Sequence, residues 1–182
     1  MARGTAGARP VRRSVVAYAL LLFLTACAVP QGSSAPVSAA PSAREGVVSF
    51  APLSATVAER TAAGIEIAFD PQAAGRLVSS VPAGIDFARQ GLLCLFLGER
   101  ATGGWSVAIQ RLRVVGGQLE IAAREMSPRG TGTGPATYPG SCVLVTRADL
   151  PSGELPATAT DLATDEFIVD GQLAIPDMTS AL

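Results

Sequence analysis

From Val47 to Ile175 short apolar runs alternate with Gly and Pro, the pattern of a mainly β domain. Val47–Phe50 is a weak strand. In Ile65-Glu66-Ile67-Ala68-Phe69, a period of two sets Ile65, Ile67 and Phe69 on one face, and Asp70-Pro71 ends the run. Pro71–Val78 is predicted as a short helix, with Asp70 as N-cap and Pro71 at the first helical position. Leu92–Leu97 is apolar on both faces and reads as a buried central strand. Trp105, Val107 and Ile109 alternate inward, and the apolar parity then moves to Leu112 and Val114. That shift predicts a β-bulge near Gln110 and leaves Arg111 and Arg113 outward. Gly116-Gly117 closes a hairpin onto Leu119, Ile121 and Ala123, and Cys142–Thr146 is a further strand. Phe167–Val169 and Gln172–Ile175 flank Asp170-Gly171, which reads as a two-residue hairpin turn. Ser127–Pro139 reads as an exposed, mobile loop, and Ala148–Asp165 as a polar connection containing Pro151 and Pro156. These elements predict a small antiparallel sandwich or barrel-like sheet with one short helix.

Ahead of this domain the pattern changes. Arg3, Arg9, Arg12 and Arg13 precede the apolar run Val15–Leu24, and Thr25-Ala26-Cys27 follows. A basic start, an apolar core of about ten residues and small residues before a cut describe an export signal. The run falls short of the roughly 20 residues a spanning helix needs. Leu24-Thr25-Ala26-Cys27 resembles the lipobox of bacterial lipoproteins, in which the cysteine is acylated, for instance by palmitate, and becomes the mature N-terminus. A soluble secreted protein with an incidental cysteine is the other reading. Residues 28–46 are rich in Ala, Pro and Ser and cannot bury a core, so they read as a flexible, disordered stalk. The expected organisation is a lipoprotein signal peptide at 1–26, a tether at 27–46, a β domain at 47–147, and a polar connection with a C-terminal hairpin at 148–182.

Composition removes most chemistry. All 14 basic residues of the 182 are Arg, and His, Lys and Asn are absent. Without His there is no Ser-His or Cys-His nucleophile pair and no His-ligated zinc, and without Lys no Schiff base or phosphate-loop lysine. Three cysteines cannot make a four-cysteine metal site within one chain. Neither a metal nor a cofactor is expected. Cleavage before Cys27 leaves 10 Arg against 15 acids, a net charge of −5. That balance gives no basic face for nucleic acid, and membrane attachment falls to the N-terminal lipid. With Cys27 acylated, Cys94 and Cys142 remain as an even pair in an oxidising compartment. An inter-strand or inter-sheet disulfide and two buried thiols are both open readings, and the disulfide is the expectation followed here.

Ile85-Asp86-Phe87, the strand ending Leu97-Gly98, and Thr102-Gly103-Gly104-Trp105-Ser106 together resemble the C-terminal domain of the PrcB-type lipoproteins, named for a subunit of a cell-surface protease complex. Gly116-Gly117, the Gly/Pro loop at Ser127–Pro135 and Tyr138-Pro139 continue the likeness, which spans about residues 55–147. Trp105 stands where that family usually has Tyr, and Ala101 at a common Pro site. The resemblance implies attendance on secreted proteases or on envelope assembly, and it brings no catalytic residues.

Thr102-Gly103-Gly104-Trp105 is the sharpest local feature, because two glycines bring backbone amides close to a partner and the only Trp follows them. Either Trp105 is an exposed contact, or it packs into the core beneath an exposed turn. Residues 102–105 and the run GTGTG at 130–134 also faintly resemble two loops of chagasin-type cysteine-protease inhibitors, whose third loop has no match here. Acidic pairs such as Asp165-Glu166 and Glu120/Glu125 fall on turns or outward strand faces, where solvated charge is the usual explanation. The expectation is therefore a non-enzymatic, lipid-anchored module of the bacterial envelope that binds or modulates a protein partner, with secreted proteases among the candidates. Its contacts are expected from Arg100, Thr102, Gly103, Gly104, Trp105 and Tyr138. A structural lipoprotein without a client is the alternative, and a chagasin-like inhibitor ranks below both.

Overall fold

A computed structural model describes residues 45–128 and 134–177. The export signal, Cys27, the tether up to residue 44 and residues 129–133 of the Gly/Thr loop lie outside the described residues. The elements in chain order are β1 (Gly46–Val47), β2 (Phe50–Pro52), β3 (Ala63–Ala68), α1 (Pro71–Ala74), β4 (Gln90–Leu97), β5 (Ser106–Val115), β6 (Gln118–Met126), β7 (Gly140–Thr146), β8 (Gly153–Asp161) and β9 (Phe167–Ile175). A 3-10 turn at Arg147–Asp149 follows β7. One sheet has the strand order β1-β5-β6-β8-β9 and the other β2-β7-β4-β3. Neighbours are antiparallel except β6 with β8. Neither sheet closes on itself, so the fold is an open, mainly β sandwich rather than a barrel.

Alternation builds the core. Leu93, Leu95, Leu97, Val143 and Val145 face inward from one sheet and meet Ile109, Leu112, Ile121, Leu155 and Leu173 from the other. The strand register slips between Ile109 and Arg111, the bulge that the apolar parity predicts at Gln110. Gly116 and Gly117 take φ of +57° and +76°, the two positive values a tight hairpin turn needs. β1 and β2 are one extended run that changes sheets. Between them Val48 is buried and donates its N–H to the Leu112 carbonyl at 3.0 Å, while the Ser49 carbonyl accepts from the Thr146 N–H at 3.0 Å.

The four-stranded sheet is covered on its outer side as well. Leu92, Phe96, Cys94 and Cys142 pack there beneath Ala74, Leu77, Val78 and the partly buried Leu53, Val57 and Phe87. This second apolar layer explains why β4 carries leucine on both faces. Helix α1 is a single turn, shorter than the predicted 71–78, with Asp70 capping it by accepting from the Ala73 N–H at 2.7 Å. Cys94 and Cys142 sit directly opposite each other on β4 and β7, Cα atoms 4.1 Å apart, and are bonded. The link is thus between neighbouring strands of one sheet, not between sheets.

Two sequence expectations need correction. Residues 148–165 are not simply a polar connection, because β8 lies inside them, between β6 and β9. Its inward positions are Leu155, Ala157, Ala159 and Asp161, and two alanines and two acids in nine residues give little hydrophobic signal. Pro156 is tolerated because pairing with β6 begins only at Ala157, so at Pro156 the strand is paired on one side alone, with Gln172 of β9. Asp170-Gly171 is likewise not a turn. β9 runs straight through it, with Asp170 opposite Thr158 and Gly171 opposite Ala157. Gly171 instead packs across from Ile65 on β3, where a Cβ would make an ordinary contact at 3.5 Å. The chain reverses at 162–166, where Asp165 takes φ of +59°. No boundary therefore falls at 147/148, since β8 and β9 supply Leu155, Leu173 and Ile175 to the common core.

The two ends of the sandwich differ. The described chain begins at one end, where the Glu45 carboxylate accepts from the Gly116 N–H of the β5–β6 turn at 2.7 Å. At that same end Arg147, 6% exposed, extends from the end of β7 to the carbonyls of Pro176 (2.9 Å) and Asp177 (3.3 Å), just past β9. Its guanidinium lies 5.0 Å from the Phe69 ring centroid, so one cation joins the two sheets. The β4–β5, β6–β7 and β8–β9 connections lie at the other end.

Candidate functional site

The residues between β4 and β5 are held against the last residues before β7. Arg100 and Thr137 form an isolated antiparallel bridge through N–H to carbonyl bonds of 2.8 and 3.0 Å. The Thr137 hydroxyl donates to the Thr102 carbonyl at 3.1 Å. Gly134 approaches Gly103, and Gly104 sits on Pro128, whose Cβ lies only 2.9 Å from where a Gly104 Cβ would be. Two loops distant in sequence thus make one surface.

Trp105 is half-buried and belongs to neither apolar cluster. It does not follow Val107 and Ile109 into the core, because β5 begins only at Ser106. Its indole N–H donates to the Thr102 hydroxyl at 3.2 Å, and the Arg100 guanidinium lies 5.3 Å from its ring centroid. The Arg100 Nη2 also meets Glu125 Oε1 at 3.0 Å, with about a quarter to a third of each side chain exposed. Such a pair contributes about 0.2–1 kcal/mol, so its main effect is to fix the guanidinium over the ring. Arg100 Nε is buried and has no hydrogen-bond partner among the described residues. Tyr138 is half-buried beside Thr137. The structure therefore gathers Arg100, Thr102, Gly103, Gly104, Trp105 and Tyr138 at one end of the sandwich.

Sequence reasoning set Glu125 aside as an outward, solvated acid and missed Thr137 and Pro128. Parity could have placed Glu125. Glu120 and Glu125 are an odd number of positions apart on β6 and so point to opposite faces. Glu125 lies opposite Val107, on the inward face at the rim of the core, and is not the outward acid expected. The two acids form no pair. Asp165 and Glu166 are both exposed on the β8–β9 turn. Asp161, also unforeseen, ends β8 buried and accepts from the N–H groups of Glu125 (2.8 Å), Ala163 (2.7 Å) and Thr164 (3.0 Å). Those bonds, that from Glu125 foremost, hold its carboxyl below the usual carboxylate range.

The Ile85–Phe87 segment shapes the backbone ahead of β4. Asp86 accepts from the Ala88 N–H at 3.1 Å, and its carbonyl accepts from Arg89 and Gln90, shaping the turn into β4, while Phe87 packs on the outer apolar layer. Among the described residues no group of three His, Cys, Asp or Glu is placed to hold a metal, and no helix is long and apolar enough to cross a membrane. No family model matches the chain, and no curated protein or solved structure is significantly similar to it.

Proposed function

We propose that the chain is a lipid-anchored envelope module that binds a protein partner, with secreted proteases as the first candidates, through the surface made by residues 100–105 and 134–138. The observation that carries this reading is the position of that surface. β5 spans its ten residues from beside Trp105 to beside the Gly116-Gly117 turn, where Glu45 is bound, so the loops stand about 30 Å from the point at which the chain enters the domain. A flexible tether attached there leaves them the part of the domain that can reach furthest from the membrane. The second support is preorganisation: a backbone bridge, two side-chain hydrogen bonds and a guanidinium hold a half-exposed Trp before any partner arrives. The lipobox-like Leu24–Cys27 and the PrcB-like motifs supply the envelope and the protease. Anchoring raises the effective concentration of the domain for neighbours on the same membrane.

The test is affinity capture from detergent-solubilised envelopes with the full chain and an Ala101→Arg variant in parallel. Ala101 is exposed on the loop, and an Arg there blocks the surface without touching the bonds that hold it. A defined protein recovered with the wild type and lost with the folded variant supports the reading. Equal recovery with both contradicts the placement of the site on these loops, and recovery of none with either contradicts the reading and favours a structural envelope protein without a client.

A further inference from the structure

We propose that the bare outer face of the five-stranded sheet is a docking surface for a second copy of this chain, related by a two-fold axis parallel to the strands. The sandwich is asymmetric. The four-stranded sheet has its own outer apolar cover, whereas among the described residues the outer side of β5, β6, β8 and β9 carries only its own side chains. Register arranges those side chains in rows. One row runs Arg113, Glu120, Thr158, Asp170 from β5 to β9, and the next runs Arg111, Ala122, Thr160, Phe167.

Each row begins with a guanidinium and ends with a group that attracts one, a carboxylate in the first and an aromatic ring, 64% exposed, in the second. Within one chain the two ends of a row are three strand spacings apart, about 14 Å, too far to pair. Among the described residues neither Arg111 nor Arg113 is in an ion pair. A two-fold axis parallel to the strands and midway between β6 and β8 lays β5 of one copy over β9 of the other at the same height. Arg113 then meets Asp170 of the second copy and Arg111 meets its Phe167, and symmetry makes each contact twice. An axis across the strands would instead oppose Arg to Arg.

The middle of the face suits a close approach. Ala122, Thr158 and Thr160 are small and line a shallow concavity of about 280 Å³. Four strands of about nine residues offer roughly 600 Å² per copy, hence about 1,200 Å² in total, the lower end of specific interfaces. The dimer is therefore weak in dilute solution and favoured at high local concentration. The chosen axis also sends both chains out at the Glu45 end and leaves both Trp105 surfaces free. In the anchored reading proposed above, both tethers reach one membrane. The charge rows do not depend on that reading.

Sedimentation equilibrium of the full chain in density-matched detergent tests this, with the wild type beside Arg113→Asp, Asp170→Arg and the double exchange. All three keep exposed positions exposed. The wild type should dimerise with concentration, each single reversal should weaken the dimer by about tenfold or more, and the double exchange should recover most of that loss. Arg111→Ala and Phe167→Ser provide a second pair of variants with the same expected weakening should a charge reversal disturb folding. A wild type that stays monomeric up to about 1 mM, where weak specific pairs still associate, overturns the proposal. So does a dimer indifferent to all four single substitutions. Neither result bears on partner capture by the loops at the end of the sandwich.

Discussion

Gly104 and Asp161 each hold a turn at the loop end of the sandwich, by opposite means. Gly104 has φ of +88° and leaves no room for a side chain above Pro128. Gly104→Ala must therefore carry a left-handed backbone and push Pro128 away, and we expect a loss of about 1–3 kcal/mol in unfolding free energy, read as a lower denaturant midpoint at unchanged slope. Asp161 acts through charge. Its carboxylate gathers three N–H donors, and its pKa lies below the ordinary value of 3.8. A group with a depressed folded pKa stabilises fully above its unfolded pKa and loses that contribution as pH falls through the folded value. Asp161→Asn should thus be less stable than the wild type at neutral pH, and the difference between them should shrink below about pH 4. Thermal melts of both proteins from pH 7 to pH 3 check this, and a difference that stays constant over that range would contradict it.

The disulfide is the element-scale counterpart. It joins β4 to β7 across a sequence separation of 48 residues, and closing such a loop in the unfolded chain is worth about 4 kcal/mol in the chain-entropy model. Cys94→Ala with Cys142→Ala should lower the unfolding free energy by about that amount, measured by denaturant titration. A loss below about 1 kcal/mol would mean that the outer apolar layer holds the two strands unaided. Elements with strong alternation were legible in the sequence. β3, β4, the bulge in β5 and the Gly116-Gly117 turn follow from the parity of Ile65, Leu92–Leu97, Leu112 and Val114. β8 was not, because Leu155 is its only large apolar inward residue and its Pro156 and Gly153 argue locally for a loop. Its place is set by two neighbours, parallel β6 and antiparallel β9, that no local pattern reveals. The Asp170-Gly171 dipeptide failed as a turn signal for a tertiary reason, since pairing with β8 carries the strand straight through it. At the candidate site the Thr102–Trp105 segment stood out in sequence. Its support did not, since Thr137 and Glu125 approach only after the sheets stack.

At the scale of the whole molecule, a sandwich with two different ends and two different faces separates its tasks. Arg147 and Glu45 fasten the end where the chain enters, the outer apolar layer closes one face, and the Trp105 surface occupies the far end. The central claim is that this far end meets the partner. Site-specific photocrosslinking in intact cells tests it most directly, with a photoreactive residue at Ala101 or at Val115 beside the Gly116 turn. A defined adduct from position 101 and none of that mass from position 115 is the expected result. The same adduct from both positions, or an adduct to another protein from 115 alone, would contradict the account, whereas a cross-link from 115 to a second copy of the chain belongs to the outer sheet face and leaves it untouched.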